Sequence, residues 1–137
     1  ELIGAKLPKH KIDGKSIANL IKGTSDKSPQ EAYYFYMGRQ LQAVRMGKWK
    51  LHFPHGYRTM AGRPGGKGGI PTKYSQARIG VSLFDLDKDI GETTDVKETH
   101  PEILAKMQQL GEAMRTELGD NKRQGKGQRQ PGRLAAR

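Results

Sequence analysis

Two histidines in the middle of the sequence have a spacing that suggests metal chemistry. His52 and His55 are three residues apart, with Pro54 between them. A zinc or similar site would need further ligands nearby to complete it, such as carboxylates or thiolates. No Asp or Glu lies within residues 32–84, and the chain has no cysteine, so these histidines do not favour a local metal site. His100 is expected near the start of a helix, where a capping role is the simplest interpretation.

An acidic run resembles a calcium loop by charge alone. It comprises Asp85, Asp87, Asp89, Glu92 and Asp95. An EF-hand loop starting at Asp85 would need Gly at its sixth position and Glu at its twelfth. Ile90 and Val96 stand there instead. The favoured interpretation is an acidic turn in which some carboxylates pair with nearby Lys or Arg.

The glycine-rich stretch 62–69 contains Lys67 and suggests phosphate binding. A nucleotide P-loop needs G-x-x-x-x-G-K-[ST], but Gly62 and Gly66 are one residue too close and Gly68 follows the lysine. A flexible loop whose cations meet an anion is favoured over a P-loop. No nucleophile and base have informative spacing, so the residues alone do not support an enzyme active site.

Charge is segregated along the 137 residues, whose net charge is +11. Residues 32–84 carry nine basic side chains and no acidic one, whereas 85–118 carry nine acidic and four basic. One alternative is a small basic nucleic-acid-binding domain with a cationic sheet face formed by Arg45, Lys48, Lys50 and His52. Against it, no RRM, KH or zinc-finger pattern is present, and Tyr33, Phe35 and Trp49 are expected in the core. No apolar run is long enough for a membrane span.

Hydrophobic periodicity predicts an α+β fold. Residues 1–31 read as a connecting segment with a short helix at 16–22, ended by Gly23. Strands are predicted at 32–36, 40–46, 48–53 and 81–86, with a long Gly-rich loop, 54–80, before the last strand. A capping box of Thr99 and Glu102 starts an amphipathic helix that ends at Leu118, and 119–137 is a basic tail. The prediction is a four-stranded antiparallel sheet packed against one C-terminal helix, with residues 32–118 as the domain.

The chain from Ile12 to about Gly132 resembles the C-terminal subdomain of formylglycine-dependent sulfatases of the arylsulfatase type. Four pieces carry the resemblance: residues 13–17 (D-G-K-S-I), 42–53 (Q-A-V-R-M-G-K-W-K-L-H-F), 83–93 (L-F-D-L-D-K-D-I-G-E-T) and 100–102 (H-P-E). Ile90 stands where the family usually has Pro. The resemblance implies a four-stranded antiparallel sheet with a helix against it, in agreement with the element order.

The resemblance also implies that the chemistry lies elsewhere in the complete enzyme. In this family an N-terminal α/β domain holds the Ca²⁺ and a formylglycine made in a C/S-x-P-x-R motif, and that motif is absent here. The chain alone is therefore expected to be inactive, without a cofactor, and to partner the N-terminal domain of the same protein. The full-length protein is expected to hydrolyse aryl or carbohydrate sulfates in a periplasm or outside the cell, without membrane insertion.

One transferable feature of the resemblance is the loop after the third strand, which in similar enzymes leans over the catalytic cleft. Here His55, Tyr57 and Arg58 begin this loop, and they are expected to contact an anionic sulfated substrate. Arg63 and Lys67 form a second group of candidate contacts. Arg can bind sulfate oxygens in a bidentate manner, and no carboxylate in residues 32–84 repels an anion. From the residues alone, a solvated loop stays an equal alternative.

Overall fold

The computed structural model describes residues 3–10, 12–129 and 132. A four-stranded antiparallel sheet consists of β1 (Tyr33–Met37), β2 (Gln40–Met46), β3 (Trp49–His52) and β6 (Ser82–Asp85), which are neighbours in that order. A long helix, α2 (Pro101–Leu118), packs on one face of the sheet. The predicted α+β architecture is confirmed. No helix in the described ranges has the length and apolar composition to cross a membrane.

The core lies between the sheet and α2. Its fully buried members are Leu41, Val44, Leu51, Leu83 and Met107, and Phe53 joins them at the end of β3. Leu41 and Val44 are three residues apart, yet both face the helix. A regular strand would place them on opposite faces. The pairing register shifts between Phe35 and Tyr36 of β1, so that Tyr36 lies opposite Leu41, and this bulge turns both β2 side chains inward.

The sheet face that points away from α2 carries a mixture of aromatic and basic side chains. From the pairing register, this outer face holds Tyr33, Phe35, Ala43, Arg45, Lys50, His52, Ser82 and Phe84. Tyr33 and Phe35 are 65% and 36% exposed, so the prediction that they belong to the core is wrong. Trp49 packs partly buried against the core, as predicted. Alternation along β1 instead gives the core Tyr34 and Tyr36.

The predicted capping box at the start of α2 is wrong. The N-cap residue is His100, which makes no capping hydrogen bond through its side chain, and Pro101 occupies the first turn. Proline suits that position because its fixed φ is already helical and its missing N–H has no partner to lose. Thr99 belongs to a 3₁₀ turn (Lys97–Thr99) and donates its hydroxyl to Val96 O. At the other end the helix stops after Leu118, as predicted, and Gly119 is its C-cap residue.

The segments on either side of the domain also have structure. A short helix, α1 (Ala18–Ile21), lies within the predicted range 16–22. Residues 119–129, predicted as tail, fold back as a small hairpin of β7 (Gly119–Asp120) and β8 (Arg123–Gln124). Tyr36 donates its hydroxyl to Gly119 O at 2.9 Å, and Leu41 N donates to Asp120 Oδ1 at 3.1 Å. The rest of the predicted tail, apart from Gly132, lies outside the described residues, as do positions 1, 2 and 11 of the connecting segment.

The long loop predicted over 54–80 is only partly a loop. It contains a two-stranded antiparallel hairpin of β4 (His55–Thr59) and β5 (Ser75–Ile79). These strands pair with each other and form a sheet separate from the four-stranded one. Only residues 60–74, where the glycines concentrate, connect them without a strand. The prediction missed the hairpin because its strands are short and largely polar, so they carry little apolar alternation.

Candidate functional site

The hairpin of β4 and β5 divides the three main predicted contact residues between its two faces. Side chains alternate along a strand, so His55 and Tyr57 point to one face and Arg58 to the other. The faces also differ in exposure. Arg58 is exposed and pairs with the exposed Gln76, whereas the face of His55 also holds the partly covered Ala77 and Ile79. The three residues are therefore adjacent along the chain but do not form one cluster of side chains.

His55 is held inside the fold. It is 6% exposed, and its Nδ1 lies 2.6 Å from Phe53 O, which fixes that nitrogen as the hydrogen-bond donor. Its ring stacks on His52 with centroids 5.4 Å apart and lies edge-on to Tyr57 at 6.4 Å. Tyr57, at 43% exposure, is open to solvent. His55 therefore anchors the base of the hairpin, while Tyr57 and Arg58 are open to a ligand.

The second group of predicted contact residues lies in the connection 60–74. Arg63 Nε donates to Met60 O at 2.9 Å, and its guanidinium donates to Ser75 Oγ at 2.5 Å. The side chain thus ties the two ends of the connection together. Lys67 forms an isolated backbone bridge with Ile70 and has an exposed side chain. Among the described residues, no hydrogen bond or ion pair joins the side chain of Arg63 or Lys67 to that of Arg58. Such contacts therefore do not bring the three residues into one group.

Arg78 is a candidate that the sequence did not single out. The register pairs Arg78 with Gly56 and Arg58 with Gln76, so the two arginines are diagonal neighbours on the exposed face of the hairpin. Within the described part of the chain, neither forms a salt bridge. Two guanidinium groups on one open face can bind an anion in a bidentate manner. Arg78 is 20 residues from Arg58 in sequence, so only the hairpin pairing reveals it.

A second polar cluster lies on the outer face of the sheet, beside the base of the hairpin. Glu92 reaches from the acidic turn to β3, where Oε1 accepts from Lys50 Nζ at 2.5 Å and Oε2 lies 2.6 Å from His52 Nε2. The three side chains are 26%, 18% and 14% exposed in the order Glu92, Lys50 and His52. His52 Nδ1 is buried and has no hydrogen-bond partner among the described residues. The residues from 85 onward therefore supply the carboxylate that the middle of the chain lacks.

The electrostatics of this cluster keep the imidazole neutral and the carboxylate charged. Burial lowers the pKa of His52, and the nearby Lys50 and His55 act in the same direction, while the hydrogen bond to Glu92 opposes them. Burial alone would raise the pKa of Glu92, but hydrogen bonds from Lys50 and His52 hold it below its ordinary value. The carboxylate is therefore ionised at neutral pH, and neutral His52 donates to it through Nε2.

The acidic run does not gather into a metal site. No group of three or more His, Asp or Glu side chains that could hold a metal ion occurs among the residues described. Asp85 binds Lys48 Nζ at 2.7 Å, and Asp95 binds Lys97 Nζ at 2.7 Å. Asp89 accepts from the backbone N–H groups of Thr93 and Thr94. The described side chains therefore do not fit a calcium site, and no C/S-x-P-x-R sequence from which a formylglycine could be made occurs in the chain.

The basic sheet face required by the nucleic-acid alternative is largely neutralised. Of its four members, Lys50 and His52 bind Glu92, and Lys48 lies outside β3 and pairs with Asp85. Arg45 is exposed, and its Nε donates to Gly47 O. A row of free cations beside stacking aromatic rings, as a nucleic acid would need, is not formed there. The structure gives this alternative no support.

Comparisons with known proteins agree with the fold. Residues 28–133 match the family model for the C-terminal region of aryl-sulfatase. Human arylsulfatase A is 32% identical over 122 residues, which cover 80% of this chain and 23% of the human protein. Mouse steryl-sulfatase is 29% identical over 131 residues, which cover 85% of this chain and 21% of the mouse protein. The chain thus spans between a fifth and a quarter of the length of these relatives.

A solved structure shows the same fold. A sulfatase chain of Bacteroides thetaiotaomicron, described in connection with the metabolism of multiple glycosaminoglycans, superposes with a TM-score of 0.54 at 22% identity. The alignment covers 84% of this chain and 22% of the other. The family match extends from the residues before β1 through the hairpin, α2 and the last small strands. The chain therefore belongs to the sulfatase family and corresponds to the C-terminal region of its members.

Proposed function

We propose that the complete protein hydrolyses sulfate esters and that this chain supplies the hairpin that contacts the sulfated substrate. The match of residues 28–133 to the arylsulfatase C-terminal region carries the first part of the proposal. The names of the relatives, arylsulfatase and steryl-sulfatase, support the hydrolysis of sulfate esters as the reaction class. Aryl and carbohydrate sulfates are the proposed substrates, since both present a sulfate anion.

The charge of the hairpin supports its role in binding the substrate. Residues 54–80 carry Arg58, Arg63, Lys67, Lys73 and Arg78, and no acidic side chain lies anywhere in residues 32–84. Arg58 and Arg78 share the exposed face, where their donors have no carboxylate partner among the described residues. A charge-assisted hydrogen bond to sulfate is worth about 1.5–3 kcal/mol. Loops and hairpins on a rigid scaffold commonly carry such specificity contacts.

The partner proposed for this chain is the N-terminal catalytic domain of the same protein. Several large apolar side chains of residues 3–37 are exposed: Ile3, Leu7, Ile17, Ile21, Tyr33 and Met37. Exposed apolar side chains that are frequent in one part of a chain favour its packing against another domain. Ca²⁺ and formylglycine are proposed for that domain, because the described residues here fit neither. We also propose that the complete protein is exported to a periplasm or to the outside of the cell.

The test of the hairpin is kinetic and uses the full-length enzyme with an aryl sulfate as substrate. Arg58→Ala and Arg78→Ala are each expected to lower kcat/KM at least fivefold, equivalent to about 1 kcal/mol, mainly through KM. Lys106→Ala removes a cation from an exposed position of α2 and is the matched control, with kcat/KM unchanged. His55→Ala is a poor probe because His55 is buried. Values for both arginine variants within twofold of the parent would refute the role of the hairpin but not the sulfatase activity.

The location of the chemistry has a separate test. The 137-residue chain alone is expected to release no sulfate from an aryl sulfate, since it contains neither the C/S-x-P-x-R motif nor a metal-binding group among its described residues. A purified chain that hydrolyses the ester, with activity that follows the protein through gel filtration, would show that the nucleophile lies here. The full-length protein assayed in parallel is the positive control.

A further inference from the structure

We propose that Glu92 is a positioning residue for the substrate-facing hairpin and that it acts through His52 and His55. The proposal rests on the proposed function only for the task of the hairpin. The physical link between Glu92 and the hairpin is a statement about this chain alone. It concerns the cluster of Glu92, Lys50 and His52 on the outer face of the sheet. Neither the family resemblance nor the spacing of these residues in the sequence assigns them a contact with the substrate.

The backbone conformation of Glu92 indicates that the direction of its side chain is fixed by the surrounding turn. Its φ is +56°, a left-handed conformation that Glu rarely adopts, and Glu92 shares this feature with only Ala61 and Asn121 among the non-glycine residues described. The surrounding turn holds the conformation, because the Asp89 carboxylate accepts from the backbone N–H groups of Thr93 and Thr94, each at 2.7 Å. A disfavoured conformation kept by several hydrogen bonds is typical of a residue that must point in one direction.

The Glu92 carboxylate orients the ring of His52. Its two oxygens bind two alternate residues of β3, Lys50 and His52, so that the carboxylate cannot rotate freely. His52 lies edge-on to Phe84, with centroids 5.7 Å apart and the planes at 85°. Its Nδ1 is buried and has no hydrogen-bond partner among the described residues. Because Glu92, at Nε2, is the polar partner that the described residues give the ring, Glu92 sets the orientation of the ring.

The oriented ring of His52 in turn supports His55. The two imidazoles stack with their planes 20° apart, and His55 is the first residue of β4. His55 is also tied to Phe53 O, at the exit of β3. Among the described residues the hairpin pairs with no strand of the four-stranded sheet, so this stack is a side-chain contact that links the sheet to the base of the hairpin. Loss of Glu92 should therefore loosen β4 and β5 while the core stays intact.

The test measures amide hydrogen exchange and histidine ring ¹⁵N shifts by NMR in the isotope-labelled 137-residue chain. Glu92→Ala is expected to speed exchange at least fivefold for the protected amides of β4 and β5, to move the ring shifts of His55, and to leave β2 within twofold of the parent. His52→Gln keeps a donor for Glu92 but removes the stacked ring, so it should have the same effect on the hairpin. Glu98→Ala, the same change at an exposed site in the neighbouring 3₁₀ turn, is the control.

The double variant separates a positioning role from a merely structural one. If Glu92 acts through His52, Glu92→Ala in the His52→Gln background should accelerate hairpin exchange by less than twofold further, whereas independent effects would multiply. Equal acceleration in β2 and the hairpin, multiplying effects, or an unmoved His55 ring each overturn the proposal. If Glu92→Ala does not fold, His52→Gln decides alone, and hairpin exchange within twofold of the parent refutes the link. None of these readouts depends on sulfatase activity.

Discussion

Gly111, in the middle of α2, provides a sharp test of how the helix packs on the sheet. A Cβ built at this position would overlap the ring of Phe53, which is 5% exposed and has the Arg115 guanidinium 4.1 Å above its face. Helix propensity favours Ala over Gly by about 1 kcal/mol. Overpacking a core costs about 1–3 kcal/mol, and this ring has little room to move, so we take the upper half of that range. Gly111→Ala should therefore destabilise the chain by about 1–2 kcal/mol.

The assay is urea unfolding together with calorimetry, where about 1–2 kcal/mol corresponds to a fall in Tm of about 4–8 °C. The control, Ala105→Gly, changes an exposed site of the same helix and should cost about 1 kcal/mol through propensity alone. In a Phe53→Leu background the clash is relieved, so Gly111→Ala should become neutral or stabilising. A stabilising Gly111→Ala in the parent chain would show that α2 does not approach Phe53 as described.

Three further predictions concern stability. Met107→Ala should cost about 2–5 kcal/mol in urea unfolding, because Met107 is fully buried between α2 and the sheet; a cost below 1 kcal/mol would contradict its burial. Asp120→Ala should cost about 1–3 kcal/mol because it leaves the N–H of Leu41 without its acceptor; Asp26→Ala, at an exposed site before β1, is the control and should be neutral. His52 has a lowered pKa when folded, so the unfolded chain takes up its proton first and the free energy of unfolding should fall as pH drops below about 6.5. The carboxylates with lowered pKa, such as Glu92, add a second fall only below about pH 4.5; His52→Gln should remove the first fall and keep the second.

The sequence predicts the fold well where periodicity is local. In β3, Trp49 and Leu51 alternate with Lys50 and His52, and the structure places the two pairs on opposite faces of the sheet. The bulge that lets both Leu41 and Val44 face the core depends on pairing with β1, so alternation along β2 alone cannot reveal it. Local pattern therefore predicts which segments are strands better than it predicts their register.

The candidate site is predicted less well, because its geometry depends on long-range pairing. Arg58 is visible in the sequence as a cation, but its neighbour Arg78 follows only from the hairpin register. Glu92 is 40 residues from His52 in the sequence, and no sequence motif indicates the left-handed backbone conformation with which it contacts β3. His55 is expected from the sequence to contact a ligand, and the structure shows that its side chain is buried. Sequence spacing does not distinguish a buried side chain from an exposed one, and a contact between His55 and a substrate stays a prediction.

The separation of the hairpin from the four-stranded sheet has a consequence for how this family can diversify. Residues 60–74 connect two strands that pair only with each other, so insertions there leave the core layers unchanged. Doubling the length of such a connection costs only about 0.6 kcal/mol in closure entropy. Substitutions at the exposed Arg58 or Arg78 likewise change the surface charge without opening a cavity in the core. Given the substrate contact proposed for the hairpin, new substrate preferences can arise there by mutation while the rest of the domain continues to fold.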